Sequence, residues 1–320
     1  MSAEVGANGV IDAGSRLTFG PAVLEFAEEI GADGPVAIEG GRTRWSVGGL
    51  PDAPPRLLRA PSGVVQYKPD EMIVRVGAGT AMAELNNALA EHRQRTALPD
   101  RGGTVGGAVV VGENDRDVLA RGALRASVLQ VTYVAADGKV VSGGGPTVKN
   151  VSGFDIPRLL VGSLGTLGCV AEVILRTNPI PPVGRWFTTE VDPFDLYDRL
   201  LAPSAVLWDG RTTWLHLEGH GPDVDAEAGR AAQLGSLVEA EGPPSMDHEH
   251  RWSLPPAELR SIADVIPGSF FASIGVGTVH ADFPQPPRPL SDAVQGVHER
   301  MKLLFDPTGR LNPGRIPGRY

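Results

Sequence analysis

After Pro21, the run AVLEFAEEI places Val23, Phe26, Ala27 and Ile30 on one helical face, and Gly31, Gly34 and Pro35 end the helix. A short apolar strand, Val36 to Ile38, then runs into Gly40 and Gly41. Beyond the Pro-rich turn at 51–55, GVVQY and MIVRV flank Lys68, Pro69 and Asp70, a hairpin pattern. A helix over 80–93 follows, with Met82, Leu85, Ala88 and Leu89 as its apolar stripe. Next come a glycine-dense loop over 102–107, a strand VLQVTYVAA, an Asp137-Gly138 turn and a return strand KVVS. Gly143 to Gly145 lead through the polar segment KNVSGFDIPRLL to GSLGTLG, which opens the strand CVAEVILRT. Pro179, Pro181 and Pro182 mark a linker.

Past the linker the pattern changes. Strand-like runs (FTTEV, AVLWD, TWLHLEG, FFASIGVGTV) alternate with helical ones (PFDLYDRLL, AEAGRAAQL, PAELRSIAD) over 186–283, which predicts a small α+β lobe. A last helix over 292–304 precedes FDPTGRLNPGRIPG, an irregular tail expected to lie back on the first lobe. The predicted organisation is residues 1–180, then a cap over 181–290, then a returning helix and tail over 291–320.

A chain of 320 residues with 42% hydrophobic content suits two lobes. Its 38 acidic residues outnumber 29 basic ones, giving a net charge of −9, which argues against a nucleic-acid partner. The single cysteine, Cys169, excludes an internal disulfide and a thiolate metal cage. No stretch is long and apolar enough to span a membrane, and the start, MSAEVGANGVIDAG, has neither a basic nor an apolar run, so a cytoplasmic protein is expected.

The 41 glycines carry the chemistry. Strand, Gly77-x-Gly79 and helix follow the order of a nicotinamide fingerprint, but Met82 holds the third glycine position and Pro99 precedes the acid at Asp100, so a tight strand-to-helix turn is the better reading. Four stretches, Gly40-Gly41, Gly102–Gly107, Gly143–Gly145 and Gly162–Gly168, would instead converge on one long ligand with a diphosphate, to which bare backbone can approach closely.

The order IEGGRTRWSVGG, PDRGGTVGG, DGKVVSGGGPTVKNVSGFDIPRLLVGSLGTLGCVAEV and FDPTGRLNPGR resembles the vanillyl-alcohol-oxidase-type (PCMH-type) FAD-binding family. Within it the pattern is similar to the smaller flavin subunits of multi-subunit glycolate oxidases. The resemblance implies an α+β fold of two FAD-binding subdomains with a small α+β cap, and noncovalent FAD. It places Gly40, Gly41, Arg42, Thr43 and Arg44 at the diphosphate, Gly103, Thr104, Gly106 and Gly107 under the flavin ring and ribityl chain, and Gly165, Leu167, Gly168 and Val170 at the adenosine or flavin edge. It further implies a 2-hydroxy acid substrate, a second flavin subunit and an iron–sulfur subunit, with any membrane association made through those partners. The alternative is a catalytically weak subunit kept for assembly or binding. Glu39, Arg42 and VGENDRD (111–117) depart from the family pattern, and Arg42 could offset Glu39 by pairing with a phosphate oxygen.

Oxidation of a 2-hydroxy acid requires a base for the hydroxyl proton and a cation for the carboxylate. His280, after FFASIGVGTV, is the candidate base, and Arg315 in NPGR the candidate cation. TWLHLEGH puts His216, Glu218 and His220 on one strand face, a metal-capable set read here as a solvated face. Asp247-His248-Glu249-His250 reads as an exposed loop, and no metal site is assigned.

Overall fold

A computed structural model describes residues 10–11, 17–50, 55–146, 155–244, 248–288 and 290–317, with side chains from Phe19 onward. Residues 149–154 of KNVSGFD, and Asp247, lie outside them. The chain forms two compact units. The first comprises Met1–Asn114, Leu124–Asn178 and Pro289–Arg319, the second Asp115–Ala123 and Pro179–Arg288 with Tyr320.

In the first unit, β1 (Val64–Lys68), β2 (Ile73–Gly77), β4 (Val128–Val134), β5 (Val140–Gly144) and β6 (Cys169–Pro179) form an antiparallel sheet in the order β1-β2-β6-β4-β5, with β3 (Gln94–Thr96) also on β6. β6 lies between β2 and β4, and its first seven residues, CVAEVIL, are all buried, Glu172 among them with Arg75 as its ion-pair partner. Helix α2 (Met82–Ala90), shorter than the predicted 80–93, buries Met82, Leu85 and Leu89 in the same core. Each such leucine contributes about 1.5–3 kcal/mol of burial.

A second core of this unit is built on α1 (Pro21–Ile30), whose Val23, Phe26 and Ile30 pack with Val36 and Leu311. The strand Val36–Ile38 pairs in parallel with Arg56–Leu58. The C-terminal segment is part of this core, for Val36 and Leu311 form a β-bridge and the Ile316 amide donates to the Gly48 carbonyl at 2.8 Å. Arg310 donates to the carbonyls of Ile30, Gly31, Asp33, Gly34 and Ala136 at 2.7–3.1 Å, and Arg56 to those of Glu29, Ile30 and Asp33 at 2.8–3.1 Å, so two guanidiniums share the acceptors at and just beyond the end of α1.

In the second unit, β7 (Val183–Thr189), β8 (Ala205–Trp208), β9 (Thr213–Gly219), β10 (Val238–Ala240), β11 (His250–Ser253), β12 (Phe270–Ser273) and β13 (Thr278–Ala281) form a sheet in the order β10-β7-β9-β8-β12-β13-β11. FFASIGVGTV is therefore two strands, not one. The chain reverses at Gly275 and Gly277, whose φ values of +77° and +91° side-chain-bearing residues rarely adopt. Helices Pro193–Arg199 and Gly221–Ala232 supply Leu196, Val224 and Ala231 to the core around Phe187, Leu215 and Trp252.

Candidate functional site

The loop after Val36–Ile38 and the loop before α3 (Val105–Val111) meet within the first unit. Thr104 caps α3, its hydroxyl accepting from the Gly107 amide at 3.2 Å, so the predicted glycine loop becomes helix from Val105 onward. Glycine is required by contact rather than by torsion at Gly41. A Cβ there would lie 2.7 Å from the Gly103 Cα, and Gly41 is absent from the positive-φ positions. Gly106 similarly brings α3 against Ala78, where a Cβ would stand 2.8 Å from the Ala78 Cβ, and its amide donates to the Ala78 carbonyl at 2.7 Å.

This close packing forms two small clefts of about 70 and 50 Å3. Ile38, Gly40, Thr104, Gly107, Val110 and Asn312 line both, so the clefts are continuous. Gly41, Arg42, Thr43, Arg44, Gly103 and Arg315 line the first, and Gly106, Gly165, Gly168 and Val170 line the second. Leu167 instead faces a groove beside the C-terminal helix Asp292–Phe305, together with Arg315. Gly143 and Gly144 also lie apart from the clefts: Cβ atoms there would strike Ile156 at 2.6 Å and the Leu129 carbonyl at 2.2 Å. Three of the four glycine stretches thus converge.

Among the described residues, none of the five amides from Gly40 to Arg44 donates to a backbone carbonyl. The half-buried Arg44 guanidinium reaches the Gly102 carbonyl through Nη2 at 3.5 Å, while its buried Nη1 has no partner among the described residues. Burial lowers its pKa from the ordinary arginine value, opposed by the buried carboxylate of Glu113, but a guanidinium remains charged at neutral pH. Asn312 donates to the Leu164 carbonyl at 2.6 Å and keeps a buried Oδ1 without a partner among the described residues. Orphaned polar atoms over a floor that a Cβ would fill fit a flat, polar, diphosphate-bearing group.

Arg42 pairs with Glu39 at 2.8 Å, alongside Arg59 at 3.3 Å, and it adopts the left-handed φ of +57° that glycine takes more readily. One expectation is corrected. His216 and Glu218 do not form a solvated face, since each side chain is only 9% exposed, although His220 is exposed. Arg315 stacks on Trp45 at 4.6 Å, donates to the Val47 carbonyl at 2.8 Å, and has its pKa lowered by burial. His280, a residue of the second unit, is 5% exposed within β13, opposite Arg251 and Phe271. Asp117, unassigned from the sequence, lies 2.8 Å from the His216 ring. Its only sequence signal was the departure at VGENDRD.

A family model described as "FAD binding domain" matches residues 22–144. The glycolate oxidase subunit GlcE of Escherichia coli is 26% identical over 344 aligned positions, covering 93% of this chain and 97% of that protein. A D-lactate dehydrogenase of Archaeoglobus fulgidus is 32% identical over 163 residues, 49% of this chain, which spans only 36% of that protein's length. Among solved structures, an alkyldihydroxyacetonephosphate synthase matches with a TM-score of 0.63 at 12% identity over 91% of this chain and 73% of that one, a likeness of fold. No helix among the described residues is long and apolar enough to cross a membrane.

Proposed function

We propose, from the premise that the chain belongs through residues 22–144 to the FAD-binding domain family and is an FAD-binding oxidoreductase related to glycolate oxidase subunits and D-lactate dehydrogenases, that it is the flavin subunit of a 2-hydroxy acid oxidase or dehydrogenase complex. The observation that carries this reading is the run of five amides from Gly40 to Arg44 lining one cleft, with Nη1 of Arg44 lacking a partner among the described residues. Amides and a guanidinium lining one cleft favour an anion such as a diphosphate. The amides and Arg44 would hold the diphosphate, with Gly103, Thr104, Gly106 and Gly107 as the floor and Gly165, Gly168, Val170 and Asn312 at the other cleft. Bound FAD supplies a two-electron acceptor for the α-hydrogen of the substrate.

Arg315 would pair with the substrate carboxylate, its orientation fixed by Trp45 and the Val47 carbonyl. The hydroxyl proton needs a base, and the described lining of the two clefts contains no imidazole. That observation favours a second reading, in which substrate oxidation falls to a partner flavin subunit and this chain serves assembly or electron relay. Onward one-electron transfer through an iron–sulfur cluster needs another protein, because Cys169 is the sole cysteine of these 320 residues and is buried. The complex would be cytoplasmic, reaching a membrane through its partners.

The visible spectrum of the purified chain tests the proposal. Flavin bands are expected, with all yellow colour released by acid precipitation. Anaerobic glycolate or D-lactate should bleach them fully only with the partner subunits present. A protein that binds no flavin after incubation with FAD would overturn the flavin-subunit reading and leave the second with assembly alone, and fast bleaching of the isolated chain would overturn the second.

A further inference from the structure

The second unit holds a polar cluster with no part in the flavin reading. β9 presents His216 and Glu218 on one face, and β7 lies against it with Trp186 opposite His216 and Gly184 opposite Glu218. Trp186 stacks on the imidazole with ring centroids 4.3 Å apart and planes 4° from parallel, which fixes the ring. Asp117 reaches the cluster from Asp115–Ala123, the segment that belongs to this unit although its sequence neighbours do not. Its Oδ1 lies 2.8 Å from the His216 Nδ1, and its Oδ2 accepts from Arg121 at 2.8 Å, while Arg121 also reaches Asp115 at 3.3 Å.

A carboxylate only accepts, so Asp117 assigns the proton to Nδ1 and leaves the lone pair of a neutral imidazole on Nε2. That nitrogen faces the Glu218 Oε1 at 3.9 Å. Two acceptor atoms at this separation are within reach of one bridging cation. Gly184 keeps the space in front of them bare, for a Cβ there would lie 3.4 Å from Nε2 and 3.9 Å from Oε1. Ligands about 2.0–2.2 Å from a tetrahedral zinc sit roughly 3.4 Å apart, so closing this pair by about half an ångström makes a two-ligand seat. The Asp117 carboxylate also lies within 4.8 Å of the other two groups.

We propose that His216 and Glu218 bind a divalent transition cation of the zinc class, with Asp117 holding the imidazole in its ligating tautomer. A nitrogen and oxygen donor set of this kind suits Zn2+ better than Ca2+ or Mg2+. The remaining coordination positions would go to water or to an incoming oxygen ligand. The site stands apart from the flavin proposal and survives its failure.

The test uses the full chain, stripped with a chelator and dialysed against zinc, with cobalt as a spectroscopic stand-in. One zinc per chain and the visible absorption bands of four-coordinate cobalt are expected. His216→Gln and Glu218→Gln should each weaken binding at least about tenfold, Asp117→Asn about 10–100-fold, and His220→Gln not at all. Circular dichroism checks folding, and the isosteric Glu218→Gln keeps the test decisive if the histidine variant unfolds. No stoichiometric uptake by the wild type would overturn the proposal, as would uptake unchanged in the His216 and Glu218 variants. So would an imidazolium resonance for His216 at neutral pH that zinc leaves unaltered, since the gap would then be filled by a proton.

Discussion

Gly41→Ala isolates the contact on which the anion cradle depends. The added methyl would stand 2.7 Å from the Gly103 Cα and 3.4 Å from the Gly103 amide nitrogen, all backbone, so no rotamer change relieves it. Restoring an ordinary carbon–carbon contact separates the two loops by about 0.7 Å or more. A shift of that size stretches an amide-to-phosphate bond from about 2.9 Å to about 3.6 Å, beyond hydrogen-bond range. Two such charge-assisted bonds, at about 1.5–3 kcal/mol each, amount to about 3–6 kcal/mol, a loss of roughly 10²- to 10⁴-fold in FAD affinity. The ratio of visible to ultraviolet absorbance of the purified variant measures retention, and fluorescence titration of the stripped protein gives Kd. Gly229→Ala is the control: it lies exposed inside the helix Gly221–Ala232 with nothing within 4 Å of a Cβ, so it should stabilise the protein by about 0.5–1 kcal/mol and leave FAD binding unchanged. A folded Gly41→Ala variant whose Kd stays within about threefold of wild type would refute the loop-contact reasoning.

Arg310→Met should cost about 3–5 kcal/mol in urea unfolding, because it strips the guanidinium from five carbonyls, of which those of Ile30 and Asp33 keep Arg56; a loss under about 1 kcal/mol would mean that water replaces it freely. Burial raises the pKa of Glu172 above the ordinary 4.5, with Arg75 at 2.5 Å opposing the shift. Its folded form therefore binds a proton more tightly than the unfolded chain, and stability declines as pH rises from 4.5 through the raised value. Glu172→Gln should flatten that decline, and parallel stability curves for the two proteins would contradict the assignment. The Cys169 thiol is pushed up to about 12 by burial, so a thiol reagent at pH 8 should modify it only in step with global unfolding. Rapid labelling of the native protein would show that the strand opens locally.

Periodicity made most elements legible, because α1, the GVVQY–MIVRV hairpin and the Asp137-Gly138 reversal rest on local spacing and turn chemistry. Gly40-Gly41 and Gly102–Gly107 were legible as sites of close approach, but not the reason for it: Gly41 is bare for the sake of Gly103, 62 positions on in the chain. The Asp117–His216 pair, 99 residues apart, could not be read from spacing, since a short His-x-Glu run looks the same on a wet strand as on a buried one. Glu39 and Arg42 stood out in the sequence as departures three positions apart, and that local spacing is what lets the two side chains pair at 2.8 Å.

The Arg310 clasp also bears on when the chain can finish folding. It joins residues 276–280 positions apart, and Pro179–Arg288 is threaded between the pieces it joins. The entropy of closing so wide a loop grows only with the logarithm of its length, so the native state loses little by it. The order of events is affected more strongly. On a ribosome, the strands and helices of the second unit emerge in one stretch with Asp115–Ala123 already released, while the carbonyls of Gly31 and Gly34 wait for Arg310 to be made. A nascent chain halted before residue 290 would hold all of the second unit but Tyr320, and a first unit whose helix end has the Arg56 guanidinium but not yet that of Arg310.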